Sequence, residues 1–269
     1  MATAAHRLLG VADATEGWEA DSQPMSGSAR NSVQRARRCR VDAMVGKVLA
    51  VETRYMPKAQ PKRCSWVNVD QGLMREYHDR EWGVPTHDDR THFEFLILEA
   101  AQAGLSWSIV LNKRDGYRRA FSQFDPEKVA RYSESRIDRL TADPGIIRNR
   151  MKITAAVKSA RAFLAVREEY GSFDAYCWQF VDGRPRQNRW TTRRQIPATT
   201  RESDAFSKDL KRRGFSFVGS TVIYAHMQAV GMVNDHLVDC FRYRDVRRLG
   251  IAANDPTSRL AQGSLSKKR

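Results

Sequence analysis

Two cysteines and two histidines stand in pairs near the two ends of the patterned part of the chain. Cys64 and His78 have 13 residues between them, and His236 and Cys240 have three. The His-x3-Cys spacing predicts two ligands on one face of a helix, which suits a tetrahedral ion such as zinc. Together the four residues would complete a closed structural site that joins both ends of a domain. They could also be two buried cysteines and two ordinary histidines, and spacing alone leaves both interpretations open.

A single carboxylate, Glu99, lies in the middle of the apolar stretch HFEFLILEAAQAGLSW at residues 92–107. Apolar side chains recur there around more than one helical face, which predicts a helix buried inside the domain. A buried carboxylate costs roughly several kcal/mol unless hydrogen bonds or a charged partner compensate. Either a neighbouring backbone group or arginine supplies the donors, or a polar ligand does. The stretch by itself decides neither.

Four large aromatic residues accompany Glu99 in the first part of the patterned region: Trp66, Tyr77, Trp82 and Trp107. Aromatic faces together with one carboxylate and one phenol suit a flat, hydrogen-bonding and partly cationic heterocycle. A stripe of aromatic residues more often belongs to a core. Their combination with a buried glutamate favours a ligand pocket.

The segment KDLKRRGFSFVGSTVI at residues 208–223 predicts a helix end, a glycine-bounded turn and a new helix from Ser220. Backbone N–H groups and a helix N-terminus in such a turn can bind phosphate oxygens, with basic side chains close by. The alternative is an ordinary connection between two helices with a solvated basic edge. The side chains concerned are Phe215, Phe217 and Val218, expected to point inward, and the basic Lys211, Arg212 and Arg213.

Helical periodicity runs through most of the region that must position these residues. Alternating strands and fixed repeats do not stand out, so the sequence predicts an all-α fold. Asp88 or Asp89 is expected to cap the central helix, Ser203 to cap a later one, and Ile109 to point inward. Residues 182–200 resemble a polar surface loop, and from residue 241 the chain loses its period. Besides the central stretch, helices are predicted at residues 72–81, 106–121, 126–132, 135–142, 148–170, 204–213 and 221–230.

The chain of 269 residues carries a formal charge of +15, with 46 Lys and Arg against 31 Asp and Glu. Residues 1–56 hold eight basic and six acidic side chains, so almost all of the excess lies further on. A basic domain indicates a polyanionic partner, most simply nucleic acid. No apolar run approaches the ~20 residues that span a bilayer, so we expect no membrane association. Four scattered cysteines indicate a reducing compartment.

These patterns divide the chain into three parts. Residues 1–56 predict a disordered extension, residues 57–245 the folded domain, and residues 246–269 a basic flexible tail. The extension could be a transit peptide, although its four acidic residues between positions 13 and 21 are unusual for one. We therefore expect the cytoplasm or nucleoid of a bacterium, or an organelle or nucleus if the extension is a targeting segment.

Taken together, these residues make the chain resemble the 3-methyladenine DNA glycosylase I family of the helix-hairpin-helix superfamily. The resemblance covers residues 63–243 and rests on the order and spacing of RCSW, EYHDREWGVP, LEAAQAGLSW, FDPEKVA, GIIRNRMKI, KRRGFSFVGSTVIYAHMQAVG and VNDHLVDC. It implies an all-α helix-hairpin-helix fold with a DNA-binding hairpin at residues 214–220. It also implies one structural Zn²⁺ held by Cys64, His78, His236 and Cys240. The DNA-binding residues would be Arg212, Arg213, Gly214, Gly219, Ser220 and Thr221.

The resemblance also implies an activity. Glu99 and Tyr77 would hydrogen-bond a flipped base in a pocket lined by Trp107, Trp82 and Trp66. The enzyme would act as a monomer on double-stranded DNA containing alkylated adenine, and would release 3-methyladenine by hydrolysis without a lyase step. Methylation at N3 makes adenine cationic and a good leaving group, so recognition of the base needs little acid–base help.

The chain departs from the family pattern in several places. The gap between Cys64 and His78 is one residue longer than expected, and residues 184–194 are unusually basic. Related glycosylases carry a catalytic aspartate after the hairpin helix, whereas Asn234 and Asp235 stand near that place here and neither is assigned a role. The alternatives are a zinc-stabilised DNA-binding protein without activity and a glycosylase for another alkylated purine. An RNA-binding role has the least support.

Overall fold

A computed structural model describes residues 60–252, so the expectations for residues 1–56 and 253–269 lie outside the described part. Helices make up most of it, as predicted. They are α1 (Gly72–Arg80), α2 (Asp89–Gln102), α3 (Trp107–Ala120), α4 (Pro126–Ala130), α5 (Glu134–Ala142), α6 (Arg150–Tyr170), α7 (Phe173–Cys177), α8 (Arg201–Arg212), α9 (Ser220–Ala229) and α10 (Phe241–Ala252). Short 3-10 segments lie at Ser122–Phe124, Trp178–Val181 and Arg193–Gln195, and two-residue strands form β1 (Arg186–Gln187) and β2 (Val233–Asn234).

Helix α2 lies at the centre of the described domain, as its apolar sequence predicts. It packs against α3, α6, α7 and α9, and all of residues 95–102 are buried. Asp88 caps it, because its carboxylate accepts a hydrogen bond from the Thr91 N–H at 2.8 Å. Asp89 has a different role. Its carboxylate accepts from the backbone N–H groups of Phe173 at 3.1 Å and Asp174 at 2.8 Å, which joins the first turns of α2 and α7.

Side chains from elsewhere hold the C-terminal end of α2. The Lys152 ammonium donates to the carbonyls of Ala101 at 2.8 Å and Ala103 at 2.7 Å. The Gln102 amide donates to the Leu105 carbonyl at 2.7 Å. These bonds satisfy carbonyl groups that have no partner within the helix. They therefore fix the loop between α2 and α3, one turn after Glu99.

Two local expectations are corrected by the structure. Helix α8 is capped by Thr200 and not by Ser203, because the two residues form a reciprocal capping box in which each backbone N–H meets the other hydroxyl. Ile109 does not point inward: its side chain is 41% exposed. Trp107, Val110 and Leu111 occupy the buried face of α3 instead.

The segment at residues 182–200, expected to be a surface loop, is pinned to the domain. Strand β1 pairs in parallel with β2, Arg186 opposite Val233 and Gln187 opposite Asn234. The Trp190 carbonyl accepts a hydrogen bond from the Val238 N–H at 2.9 Å. This strand pair is the one sheet within residues 60–252. Its short length explains why no alternating pattern marked it.

The chain beyond residue 241 is also more ordered than its composition predicts. Helix α10 begins at Phe241 and continues to Ala252, and Val246 on it is fully buried. The expected boundary between residues 245 and 246 therefore falls inside a helix. Its buried side chains, Tyr243 and Val246, stand among arginines, so the apolar period is too short to be recognised from sequence. Among the described residues, no helix combines the length and apolar character needed to cross a membrane.

A buried unsatisfied carboxylate and a cysteine and histidine cluster

The structure brings Cys64, His78, His236 and Cys240 together, and all four are buried. The Cys240 Sγ lies 3.4 Å from His78 Nε2 and 3.6 Å from His236 Nδ1, and the Cys64 Sγ lies 3.6 Å from the same Nδ1. A tetrahedral zinc with sulfur at ~2.3 Å and nitrogen at ~2.0 Å separates its ligands by about 3.3–3.8 Å. The four residues therefore fit a tetrahedral metal ion.

Neighbouring acceptors orient both imidazoles toward the thiols. His78 Nδ1 donates to Asp79 Oδ1 at 2.8 Å, and His236 Nε2 donates to the Trp82 carbonyl at 3.0 Å. Because these nitrogens carry the protons, His78 Nε2 and His236 Nδ1 present lone pairs to the centre of the cluster. Arg63 holds Asp79 through bonds of 2.7–3.1 Å. The hydrogen bond from the Cys64 thiol lowers the pKa of Cys240 and favours its thiolate.

The predicted helical spacing of His236 and Cys240 is wrong, although the predicted proximity is right. Residues 236–240 form a turn, closed by a hydrogen bond of 2.8 Å from the Cys240 N–H to the Leu237 carbonyl, and α10 starts only at Phe241. Gly83 packs on this turn with a positive φ of 80°, and a Cβ there would lie 3.2 Å from the His236 ring. The turn thus brings both ligands to one point without a helix.

Glu99 is fully buried, as predicted, and neither of its carboxylate oxygens has a hydrogen-bond partner within residues 60–252. Of the two explanations open from sequence, a backbone or arginine donor is therefore not the one observed. Burial raises the pKa of Glu99 to about 8, because the charged form lacks compensation. An unsatisfied buried carboxylate is rare enough in native proteins to indicate a ligand site.

The predicted aromatic residues form two pairs around α1. The rings of Tyr77 and Trp107 lie 5.3 Å apart, and burial, followed by the Glu99 charge, raises the pKa of Tyr77 well above its ordinary value. Trp66 packs edge-on against Trp82 at 4.9 Å. This second pair also contacts the cysteine and histidine cluster, because Trp66 lies 5.3 Å from the His78 ring and Trp82 lies 4.6 Å from the His236 ring.

The unsatisfied polar atoms of the described domain concentrate on these residues. The indole N–H groups of Trp66, Trp82 and Trp107 are buried without a partner, as are both oxygens of Glu99. These are five of the eight such atoms found in residues 60–252. These three indole donors and two carboxylate acceptors are groups that a polar aromatic ligand would satisfy.

Asp235 is a second buried carboxylate, and sequence reasoning left it without a role. Its Oδ1 accepts from Asn188 at 2.6 Å and Trp190 at 2.8 Å, and its Oδ2 accepts from Tyr224 at 2.6 Å and Gln228 at 2.7 Å. Four donors therefore occupy both oxygens. Asp235 joins the segment after β1 to α9, and this structural role explains why it faces no ligand.

Arg114 forms an ion-pair network that no sequence pattern indicated. Its guanidinium donates to Glu94 at 2.7 Å and to both oxygens of Glu81 at 2.7–2.9 Å, and it lies over the Phe95 ring. A groove beside it is lined in part by Tyr77. The acidic partners stand 20 and 33 residues away in the sequence, so no local spacing could have revealed the network.

The predicted hairpin connects α8 to α9 through Gly214, which has a positive φ of 92°, with Gly219 as the N-cap residue of α9. Phe215 and Val218 are buried as predicted, whereas Phe217 is half-buried. Arg212 and Thr221 are exposed. Ser220 hydrogen-bonds Ser203 and Asp204, and Arg213 is held by an ion network. Its partners are Asp209, Glu169 and Tyr170.

Comparison with known proteins agrees with this arrangement. The model of the methyladenine glycosylase family matches residues 66–243, about two thirds of the chain. The chain belongs to the methyladenine glycosylase family. It is 50% identical over 182 residues to DNA-3-methyladenine glycosylase 1 of Escherichia coli K12, which covers 68% of this chain and 97% of the relative. It is 47% identical over 178 residues to the Haemophilus influenzae DNA-3-methyladenine glycosylase, covering 66% of this chain and 96% of the relative.

Solved structures of this family share the fold. A crystal structure of 3-methyladenine DNA glycosylase I is 50% identical, with a TM-score of 0.65 over 67% of this chain and 98% of that one. A tyrosine-to-phenylalanine variant of a 3-methyladenine DNA glycosylase I, in complex with 3-methyladenine, is 35% identical, with a TM-score of 0.65 over 66% of this chain and 96% of that one. The mostly helical fold of the described residues is therefore that of methyladenine glycosylases.

Proposed function

We propose that this methyladenine glycosylase excises 3-methyladenine from alkylated double-stranded DNA by hydrolysing the N-glycosidic bond. The observation that carries the proposal is the buried, unpartnered Glu99 beside Tyr77 and Trp107. The relatives named above support the substrate, since they are 3-methyladenine glycosylases. We also propose that the enzyme acts as a monomer, as the family resemblance implies.

Recognition of the base would use the unsatisfied groups of the pocket. N3-methylated adenine carries a positive charge and an exocyclic amino group, so Glu99 would accept hydrogen bonds from its edge and stabilise its charge. Tyr77 would add a second polar contact, and the rings of Trp107, Trp82 and Trp66 would stack on the base or line its pocket. The charge of the methylated base would offset the desolvation cost of an ionised Glu99. A neutral adenine lacks that charge, so the site would bind neutral adenine less tightly.

Catalysis would then follow from the chemistry of the lesion. The bond between the sugar C1′ and the base breaks, and its electron pair neutralises the cationic purine. Water adds to C1′ and releases its proton to solvent, so an abasic site remains in an intact strand. Lys152 lies near this region, but its ammonium already donates to two carbonyls. This arrangement supports a monofunctional enzyme without a Schiff-base lyase step.

The hairpin between α8 and α9 would grip the DNA backbone. Its glycines and the N-terminus of α9 offer N–H groups to phosphate oxygens, as expected for a helix-hairpin-helix element. The proposed contacts come from the exposed Arg212, from Gly214 and Gly219, and from Ser220 and Thr221 at the start of α9. Arg213 would instead position the hairpin, because its guanidinium is mostly buried and bound to both Asp209 and Glu169. Arg212 pairs with Asp209 as well, but its side chain is 73% exposed.

We propose a structural Zn²⁺ at Cys64, His78, His236 and Cys240. Two thiolates and two imidazoles leave no open coordination position, so the ion would serve the fold and not the reaction. It would join the first and last described segments, which also meet through the hydrogen bond from the Phe241 N–H to the Lys62 carbonyl. Removal of this ion by a chelator should lower the melting temperature of the protein, because the ion would be bound by the folded state.

The proposed activity is tested by incubating the purified protein with methylated duplex DNA and separating the released bases by chromatography. We expect 3-methyladenine and an abasic strand that breaks only after alkaline treatment. Glu99→Gln is the matched control, since it keeps the size of the side chain and removes the charge. Release of another purine would overturn the substrate. No release from a folded, metal-loaded protein would overturn the enzymatic role and leave a DNA-binding protein.

A further inference from the structure

A second cluster of metal-binding side chains lies between α2 and α7. His92 Nε2 lies 3.4 Å from Asp174 Oδ1 and 3.6 Å from Cys177 Sγ, and the three ligand atoms are within 4.8 Å of one another. Both distances are close to the edges of a coordination tetrahedron. Cys177 Sγ also lies 3.8 Å from His92 Nδ1, so the imidazole would turn to direct one nitrogen at a shared ion. We propose that His92, Asp174 and Cys177 form a second metal site that binds a divalent transition ion such as zinc.

The backbone holds these ligands in place before any ion binds. Asp174 and Cys177 stand three residues apart on α7 and therefore share one face of that helix. His92 is in the first turn of α2 and faces them. The Asp89 carboxylate accepts from the N–H groups of Phe173 and Asp174, which fixes the start of α7 against the start of α2. Little conformational entropy would therefore be lost on binding.

The ligand types select the class of ion. A thiolate, an imidazole and one carboxylate suit zinc and similar borderline ions, whereas magnesium and calcium prefer oxygen ligands alone. Burial raises the pKa of the Cys177 thiol well above its ordinary value, so binding would displace a proton from sulfur.

The surroundings of His92 provide independent support. His226 is fully buried, its ring lies 5.6 Å from the His92 ring, and neither of its nitrogens has a hydrogen-bond partner within the described residues. A purely structural network would leave this imidazole unexplained, because unsatisfied buried polar groups are costly. His87 lies on the solvent side, 44% exposed, with its Nδ1 3.0 Å from Asp174 Oδ1. Water, His87 or His226 could supply the fourth ligand.

This site is separate from both the proposed zinc site and the base pocket. It shares no residue with either, and His92 precedes Glu99 by seven residues, roughly 10 Å along the axis of α2. An ion here would bind the start of α2 to α7. We expect it to stabilise the fold without contacting the base, and the inference does not depend on the proposed glycosylase activity.

The test is titration of the metal-free, full-length protein with Co²⁺, followed by thiolate-to-cobalt charge-transfer absorbance. A Cys39→Ser background removes the cysteine that belongs to neither cluster. We expect two equivalents to bind, and the second to add about half of the absorbance of the first, since it brings one thiolate and not two. A single end point at one equivalent would overturn the proposal without any ligand variant.

Variants then assign the second equivalent. Cys177→Val and His92→Leu should each reduce binding to one equivalent, because they replace ligands with apolar side chains suited to a buried position. The matched control is Asp182→Asn, which removes an exposed carboxylate paired with Arg186 and should still bind two equivalents. Circular dichroism checks that each variant is folded. A second equivalent that persists in folded Cys177→Val and His92→Leu proteins would contradict the assignment.

Discussion

Glu99 and Asp235 are both carboxylates in the interior of this domain, and both are almost completely buried. Asp235 accepts hydrogen bonds from four side chains, so each oxygen has two donors. Glu99 has no donor among the described residues, and its pKa rises to about 8. Burial alone therefore does not distinguish the two carboxylates. The difference is that the fold supplies donors to Asp235 and, within the described residues, none to Glu99.

The most direct way to test this comparison is to neutralise the unsatisfied carboxylate. Glu99→Gln should lower kcat/KM for release of 3-methyladenine by about 100- to 1000-fold, because it removes the charge that stabilises the cationic base. Duplex affinity and its salt dependence should remain close to wild type. Single-turnover release and binding at several salt concentrations measure the two effects. Equal losses in both would mean that Glu99 supports the structure and does not act on the base.

The corresponding amide substitution at Asp235, the satisfied carboxylate, should lower stability and leave base release nearly unchanged. Asp235→Asn replaces one accepting oxygen with an N–H₂ group that faces two donors, so it should destabilise the fold by about 3 kcal/mol. For a domain of this size the melting temperature would fall by roughly 6–12 °C. The variant, assayed below its melting temperature, should release base at a rate close to wild type. A large loss of activity with normal stability would give Asp235 a catalytic role and remove the contrast.

The raised pKa of Glu99 also predicts how base release depends on pH. If the ionised form binds the cationic base, kcat/KM should rise about tenfold per pH unit below 8 and level off above it, since this ratio reports the free enzyme. Glu99→Gln should abolish that dependence. Release rates at limiting substrate between pH 5.5 and 9 provide the measurement. A wild-type profile that is flat from pH 6 to 9 would exclude Glu99 as the controlling group.

Stability should respond to pH in the opposite direction. The folded state keeps a proton on Glu99 up to about pH 8, whereas the unfolded chain loses it near the ordinary value of 4.5. Folding therefore binds a proton in this window, and Glu99 makes the protein less stable as pH rises through it, by at most about 1.4 kcal/mol per unit. In urea unfolding, the free energy of unfolding of Glu99→Gln should increase relative to that of wild type between pH 5.5 and 7.5. If the free energies of unfolding of the two proteins changed in parallel with pH, Glu99 would be hydrated in the folded state and its pKa would not be raised.

The smallest expected effects extend the comparison to two adjacent arginines. Arg213 is mostly buried and held by Asp209, Glu169 and Tyr170, while Arg212 is largely exposed and pairs with Asp209. Arg212→Ala should weaken duplex binding a few-fold and reduce the salt slope by about 1. Arg213→Ala should mainly lower stability, by about 1–2 kcal/mol. If Arg213→Ala changed the salt slope and Arg212→Ala did not, the two assignments would have to be exchanged.

Local patterns predicted much of the fold because they are strong. An almost unbroken apolar run defines α2, and Asp88 follows ordinary capping chemistry. Tertiary contacts decided the places where prediction failed. The strand pair β1–β2 is two residues long, and α10 depends on burial of Val246 in an otherwise basic segment. His236 and Cys240 approach each other through a turn and not through the expected helix, so proximity was predictable from spacing but geometry was not.

The sequence by itself determined which residues could do chemistry: a glutamate in an apolar helix, tryptophans around it, and paired cysteines and histidines. Its motifs were specific enough to indicate the family. Only the tertiary structure decided which buried carboxylate is satisfied, because the donors to Asp235 stand 7 to 47 residues away in the chain. Hydrogen-bond satisfaction depends on groups that meet only after folding. The same reason explains why the cluster of His92, Asp174 and Cys177 became visible only in three dimensions.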